Sequence, residues 1–305
     1  MKKIFISIAF IILLVLIGIT FLLTRPSDYL AHFTIKATPD IAYYNILNWD
    51  IWNRDESSSK IDILSKKPVS NISQKVTQKD TTFIFNWEFK KLNDSISVVR
   101  AYVSDPNRKL YNRLTVPFIN SHFKQGVRNN LLDIKTRMEL MLKKFNYKFT
   151  GYHHFEKKSC VYINLKSTLR GKARAMMSNV SELNQFVRQN NLELDGKPFL
   201  VIHDWNESKD SISFDFCFPI IRIDAVPVHP KIKFMTVESM DAIKTDFFGN
   251  YGMTDITWYN LAEEVKKQGY RTNNKLIEVY FNDPHSGGNE LEWKAEIYMG
   301  IESVN

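Results

Sequence analysis

The side chains with the most chemical capacity lie near the C-terminal end, where strand-like alternation sorts them onto faces. In Leu291 to Gly300, Trp293, Ala295, Ile297 and Met299 share one side while Glu292, Lys294, Glu296 and Tyr298 share the other, because side chains alternate with period two. Lys275 to Asn282 splits likewise, with Ile277, Val279 and Phe281 on one side and Glu278 and Tyr280 on the other. The polar sets predict a groove where Tyr280, Glu296 and Tyr298 meet: aromatic faces hold a cation and a carboxylate neutralises it. Partial burial would raise the pKa of that carboxylate. On the residues alone a plainer reading stays open, with Glu296 a solvated strand residue and the tyrosines sheet formers.

An earlier segment repeats the pattern. Phe214-Asp215-Phe216-Cys217-Phe218-Pro219-Ile220 and Ala295-Glu296-Ile297-Tyr298-Met299-Gly300-Ile301 both carry an acid second and Ile seventh, so Asp215 holds the place of Glu296, and His203 falls roughly opposite Tyr280. A single His without a nucleophile at a diagnostic spacing reads as a hydrogen-bonding residue before a general base. His153-His154 is half a metal site at most, since neighbours on a strand point to opposite faces. Ser286-Gly287-Gly288 lacks the Lys-Ser/Thr of a phosphate loop and reads as a turn between strands. Lys166, Arg170, Lys172 and Arg174 form the densest basic group of this half, without a Gly-rich cradle, and read as a solvated loop. Cys160 and Cys217 lack zinc spacing and read as two free thiols, with one disulfide between them open if the domain faces an oxidising compartment. No metal or cofactor is expected.

Elements must exist to position these groups. The chain has 305 residues, 44% hydrophobic and 24% charged, near globular averages, which excludes a collagen-like, wholly disordered or multi-span membrane chain. Its net charge of +8 comes from basic residues scattered among acids, which gives no support to nucleic-acid binding. Ile4 to Leu23 carries no charge and matches the roughly 30 Å hydrocarbon thickness of a bilayer. No small-residue cleavage site follows it, so an uncleaved single-pass anchor is expected over residues 1–26. Lys2, Lys3 and the α-amino group outweigh Arg25 by a small margin, which predicts a cytoplasmic N-terminus and extracytoplasmic soluble domains at the cell membrane and leaves the opposite orientation open.

Two α+β domains are expected after the anchor, at 30–147 and 150–305, with Asn146 to Gly151 as the joint. The first reads as a strand at His32 to Lys36, a helix at Pro39 to Leu47, a meander at Ile61–Ile63, Asn71–Thr77, Thr82–Leu92 and Ser95–Val103, and a long amphipathic helix at Gly126 to Phe145. Phe83, Phe85, Trp87 and Phe89 fall on its core face. The second reads as a duplicated strand-helix-strand-strand unit: Cys160–Leu169, Ser181–Gln189, Phe199–Trp205 and Ser211–Pro219, then Ile232–Ser239, Trp258–Gln268, Lys275–Asn282 and Leu291–Gly300. Such a duplication predicts two sheets covered outside by helices, with a groove between the halves.

Trp258-Tyr259-Asn260-Leu261, Glu278-Val279-Tyr280-Phe281-Asn282-Asp283-Pro284 and Trp293 to Ile301 resemble the gyrase-inhibitor-like small-molecule-binding domain, which is also the effector-binding module of bacterial AraC-type and MerR-type regulators. The resemblance covers roughly residues 150–303 and implies a groove for bulky hydrophobic or cationic compounds with a central glutamate, at the position of Glu296. Residues 30–147 resemble the START-related, polyketide-cyclase-like helix-grip fold through Pro39-Asp40-Ile41-Ala42-Tyr43-Tyr44, Trp49 to Trp52 and the terminal helix, which implies an apolar cavity between sheet and helix. No helix-turn-helix precedes the binding module, so a DNA-binding regulator is disfavoured. The expected function is a membrane-anchored sensor or sequestering protein for a small amphipathic or cationic molecule, with Glu296, Tyr298, Tyr280, Glu278, Asp215 and His203 lining its groove. Two alternatives accompany it: a hydrolase of small reactive compounds in which Glu296 activates water and Tyr280 or Tyr298 steadies the developing charge, and a partner or signalling domain without a ligand.

Overall fold

The computed structural model describes residues 2–47, 49, 59–78, 81–93, 96–169, 171–206, 211–221 and 227–302. Trp52 and Arg170 lie outside these residues. Among the described residues the chain is α+β, with one apolar N-terminal helix and two antiparallel sheets, and it divides into two compact units, Met1–Met141 and Leu142–Asn305.

The first unit opens with helix α1, Lys2–Thr24, whose stretch Ile6–Thr24 has a mean hydropathy of 3.1 and no buried residue. It is long and apolar enough to cross a membrane. Strands β1 (Tyr29–Ile35), β2 (Ser59–Lys67), β3 (Asn71–Gln78), β4 (Thr81–Asn93) and β5 (Ile96–Ser104) form a sheet in the order β1-β5-β4-β3-β2. Helix α2, Pro39–Leu47, starts on a proline that fits the first helical turn. It packs on that sheet, where Gln74 donates to Ile46 O at 2.9 Å and accepts from Trp87 Nε1 at 2.8 Å. Phe85, Trp87 and Phe89 are buried, Phe85 stacked on Trp87. A short helix α3, Lys109–Thr115, was not foreseen, and the long helix α4 runs His122–Leu142 rather than to Phe145. The cavity among Asn45, Trp49, Ile134, Arg137 and Met138 has a volume of about 20 Å³, room for about one water.

The second unit contains β6 (Phe145–Phe155), β7 (Lys158–Ser167), α5 (Lys172–Gln189), β8 (Phe199–Asn206), β9 (Ser211–Pro219), β10 (Lys233–Val237), β11 (Met240–Gly249), a 3₁₀ turn at Tyr251–Thr257, α6 (Trp258–Lys267), β12 (Thr272–Tyr280) and β13 (Lys294–Ile301). Its eight strands form one sheet, β10-β7-β9-β8-β12-β13-β11-β6. The expected two sheets are thus a single one, joined where Val279 pairs Phe199 and Ile277 pairs Val201. Asn146 to Gly151, expected as the joint, lies inside strand β6. Strand β11 is an unexpected element, because its buried positions include Lys244 and Thr245 and so break the apolar alternation. The strand expected at Ile232–Ser239 is the shorter β10, which forms an edge.

Helices α5 and α6 cover one face of the sheet. Their buried stripes are Met176, Leu183 and Val187 on α5 and Trp258, Leu261 and Val265 on α6, at helical spacing. The opposite face carries a second core of Phe155, Cys160, Phe199, Cys217, Met240, Ala242 and Ile277.

Candidate binding groove

Strand register decides which candidate residues can meet. Val279 stands opposite Glu296 and Ile277 opposite Tyr298, whereas Glu278 faces Ile297 and Tyr280 faces Ala295. Cross-strand partners share a face. Glu296 and Tyr298 therefore lie on the face away from the helices, and Glu278 and Tyr280 lie beneath them. The alternation within each strand agrees with expectation, but the register across the strands is one residue away from the expected one, so Tyr280 does not join Glu296 and Tyr298 in one groove. A one-residue slip moves a whole set to the other face.

On the helix side, Glu278 is fully buried and both of its oxygens are engaged. Oε1 accepts from Trp258 Nε1 at 2.8 Å, and Oε2 accepts from Lys172 Nζ at 2.7 Å and from the Tyr280 hydroxyl. Lys172 is equally buried, bonds Thr254 Oγ1 at 2.5 Å and stands 4.7 Å from the centroid of the Trp258 ring, so cation–π attraction adds to the ion pair. Burial, and then the Glu278 carboxylate, push the Tyr280 phenol well above its ordinary range, which keeps it a donor. Lys172 thus belongs to a buried helix start and not to the expected solvated loop. Its place in the sequence held the contrary signal, because it lies four residues before Met176 on the stripe that α5 buries.

Beside this cluster lies an open groove of about 660 Å³. One wall is α5, through Ala173, Met176, Met177 and Val180; Phe216, Phe218, Tyr251, Tyr280, Phe281 and Trp293 line the rest, with Arg174, Lys197, Asp283 and His285 also in its wall. Tyr280 connects the two features, since its ring lines the groove and its hydroxyl reaches Glu278. Tyr251 packs 4.6 Å from Tyr280, and its hydroxyl donates to Lys294 O at 2.9 Å and accepts from Asn282 N at 2.9 Å, which fixes this wall.

The opposite face organises charge differently. Glu296 Oε1 lies 2.8 Å from Lys294 Nζ and 3.1 Å from Lys244 Nζ, and Oε2 accepts from Tyr298 Oη at 2.6 Å. Asp246 completes the group, at 3.2 Å from Lys244 and 3.3 Å from Lys294. Burial pushes the Glu296 carboxyl up, but Lys294, Tyr298 and Lys244 outweigh it and hold it at about 2, opposite to the rise expected from burial alone. A carboxylate held so low is a weak base at neutral pH. Glu296 and Tyr298 border a separate cavity of about 220 Å³ with His154, Phe155, Lys158 and Val279.

Asp215 and His203 belong to the same face, for Asp215, Val201, Ile277 and Tyr298 are successive cross-strand neighbours. His203 Nε2 lies 2.7 Å from Asp215 Oδ2, and Asn164 Nδ2 donates to Asp215 Oδ1 at 2.7 Å. His154 pairs with Asp241 at 2.8 Å while His153 points elsewhere, to Gly151 O at 3.2 Å. Among the described residues no group of three or more His, Cys, Asp or Glu is placed to hold a metal ion. Cys160 and Cys217 are free and buried.

No protein-family model matches the chain, and no curated protein matches its sequence. Among solved structures, the EcmrR C-terminal domain aligns with a TM-score of 0.43 and 18% identity over 52% of this chain and 99% of that one. A hydrolase from Listeria innocua aligns with a TM-score of 0.35 and 11% identity over 50% of this chain and 92% of that one. SAV2435 bound to tetraphenylphosphonium aligns with a TM-score of 0.30 and 12% identity over 52% of this chain and 94% of that one.

Proposed function

We propose that the chain is a membrane-anchored binding protein that captures a small amphipathic or cationic molecule in the groove beside α5. The observation that carries this reading is the open volume of about 660 Å³, lined by Met, Val, Phe, Tyr and Trp side chains. Glu278 is already engaged by Lys172, Trp258 and Tyr280, so a ligand finds no free carboxylate there. Its affinity comes from apolar contact and from the aromatic rings of Tyr251, Tyr280 and Trp293, which accept either a neutral ring or a cation. The strand order supports a duplicated unit, β7-α5-β8-β9 followed by β11-α6-β12-β13, with β6 and β10 added at the edges. The five-stranded sheet, with Phe123 of the long helix α4 at 5.8 Å from Phe83 of β4, is the support for a helix-grip first domain. Helix α1 provides the anchor, and Lys2 and Lys3 favour an outward-facing soluble part.

The test is a thermal-shift screen of the full chain in nanodiscs against tetraphenylphosphonium and neutral apolar compounds, wild type beside Val180→Trp, which fills the groove. A ligand of the native state raises the melting temperature by mass action. Stabilisation of the wild type that disappears in the variant supports the groove. An equal shift in both places the ligand elsewhere, and no shift with any compound favours a partner domain without a ligand.

A further inference from the structure

Helix α3 has its polarity inverted. Asn112 and Arg113 point inward and are buried, while Leu110, Tyr111 and Leu114 point outward, and Phe118 and Ile119 continue the exposed apolar set. Leu110 is 68% exposed and Phe118 79%, values at which a soluble surface would carry polar side chains. Leu110 and Leu114 are four residues apart, so they share one face.

The inward side explains where this face stands. Arg113 Nε donates to Asp28 Oδ1 at 3.1 Å, and Arg113 Nη1 donates to the carbonyl of Leu23 in the last turn of α1. That turn has carbonyls without helical partners and the negative end of the helix dipole, which a guanidinium satisfies. Asp28 is itself fixed, accepting from Asp105 N at 2.9 Å and donating its own N–H to Val103 O at 3.0 Å. The exposed apolar set is thereby bound to the end of the membrane-crossing stretch Ile6–Thr24, at the depth where hydrocarbon gives way to headgroups. Charge agrees with this placement: Arg108 and Lys109 are exposed beside Leu110, and no Asp or Glu occurs between Pro106 and Leu132.

We propose that Lys109–Ile119 is an interfacial element that inserts Leu110, Tyr111, Leu114, Phe118 and Ile119 into the surface of the bilayer crossed by α1, with Arg108 and Lys109 at anionic headgroups. The inference rests on the membrane anchor of the proposed function. It gives the first unit a second attachment, and with it a fixed orientation to the lipid surface.

The experiment uses the full chain in liposomes containing anionic lipid, with Phe118→Cys or Leu92→Cys carrying an environment-sensitive fluorophore; the native Cys160 and Cys217 are buried. Leu92 is exposed at the other end of the sheet, since β4 and β5 pair Lys91 with Ser97 there and Ile84 with Ser104 at the α3 end. The Phe118 label is expected to shift to the blue and to lose about twofold more fluorescence than the Leu92 label to lipids with a shallow nitroxide. If the chain resists carbonate extraction while both labels report water, the interfacial proposal falls and the anchor stands. Carbonate-extractable chain overturns both. A Phe118 signal that follows protein density instead of nitroxide content assigns the patch to a second copy and also overturns the proposal.

Discussion

Lys172 Nζ lies 2.7 Å from Glu278 Oε2, and neither side chain has exposed surface. The pair joins the first turn of α5 to β12 across the helix face of the sheet, with Trp258, Tyr280 and Thr254 supplying the remaining bonds. Two charges taken out of water repay that cost only while both are present.

Lys172→Met should therefore lower the unfolding free energy by about 3–5 kcal/mol, because it leaves an uncompensated buried carboxylate. Adding Glu278→Gln to Lys172→Met should recover much of that loss. Urea denaturation of the wild type, the two single variants and the double variant measures the coupling. Additive losses would show that the two residues act independently.

The Glu296 group makes a pH signature. Its carboxyl is held at about 2 against an ordinary 4.5, so between these values the unfolded chain binds the extra proton. The stabilisation is complete above about pH 4.5 and is lost as pH falls toward 2. Thermal melts across pH 2–6 should decline over that interval in the wild type and more gently in Glu296→Gln. Identical profiles would remove the Lys244–Lys294 cage as the cause.

Both cysteines should resist alkylation in the native chain. Burial, and then the neighbouring Cys160 thiol, push the Cys217 thiol well up, and Cys160 is equally inaccessible. Since the thiolate is the nucleophile, iodoacetamide at mildly alkaline pH should add nothing before denaturation and two groups after it, by intact-mass spectrometry.

Gly249 ends β11 at a φ of 151°, and a Cβ there would meet Phe145 Cβ at 2.8 Å and Lys144 O at 3.0 Å. Backbone cannot yield as a flexible side chain does, so Gly249→Ala should cost about 1–3 kcal/mol. The urea midpoint reads it. Gly269→Ala is the control, with a similarly positive φ of 83° and open space around it.

Local signals in the sequence carried most of the elements and little of the pairing between them. Pro39 and the apolar stripe after it delimit α2, and alternation in Ser211–Pro219 delimits β9 to the residue. Trp258, Leu261 and Val265 mark α6. What alternation cannot supply is register: nothing in β12 or β13 taken singly says that Val279, and not Tyr280, stands beside Glu296. Long-range contact also hid Lys172, whose partner lies 106 residues away, and β11, whose buried Lys244 is tolerable only beside Glu296 and Asp246. The inverted polarity of α3 was invisible for a related reason, because Arg113 reads as a surface residue until Asp28 and the end of α1 are brought to it.

The position of β6 sets a timetable for biosynthesis. It is the first strand of its unit to be made, yet among the described residues it pairs only with β11, and Thr150 must wait for Lys244, 94 residues further along. At ordinary elongation rates that is roughly 5 to 20 seconds in which an aromatic strand has left the ribosome without its neighbour. Phe145, Tyr147, Phe149 and Tyr152 are on offer throughout. The nascent chain would then be an early client for a holdase, and its commitment to the native sheet comes only once β11 has emerged.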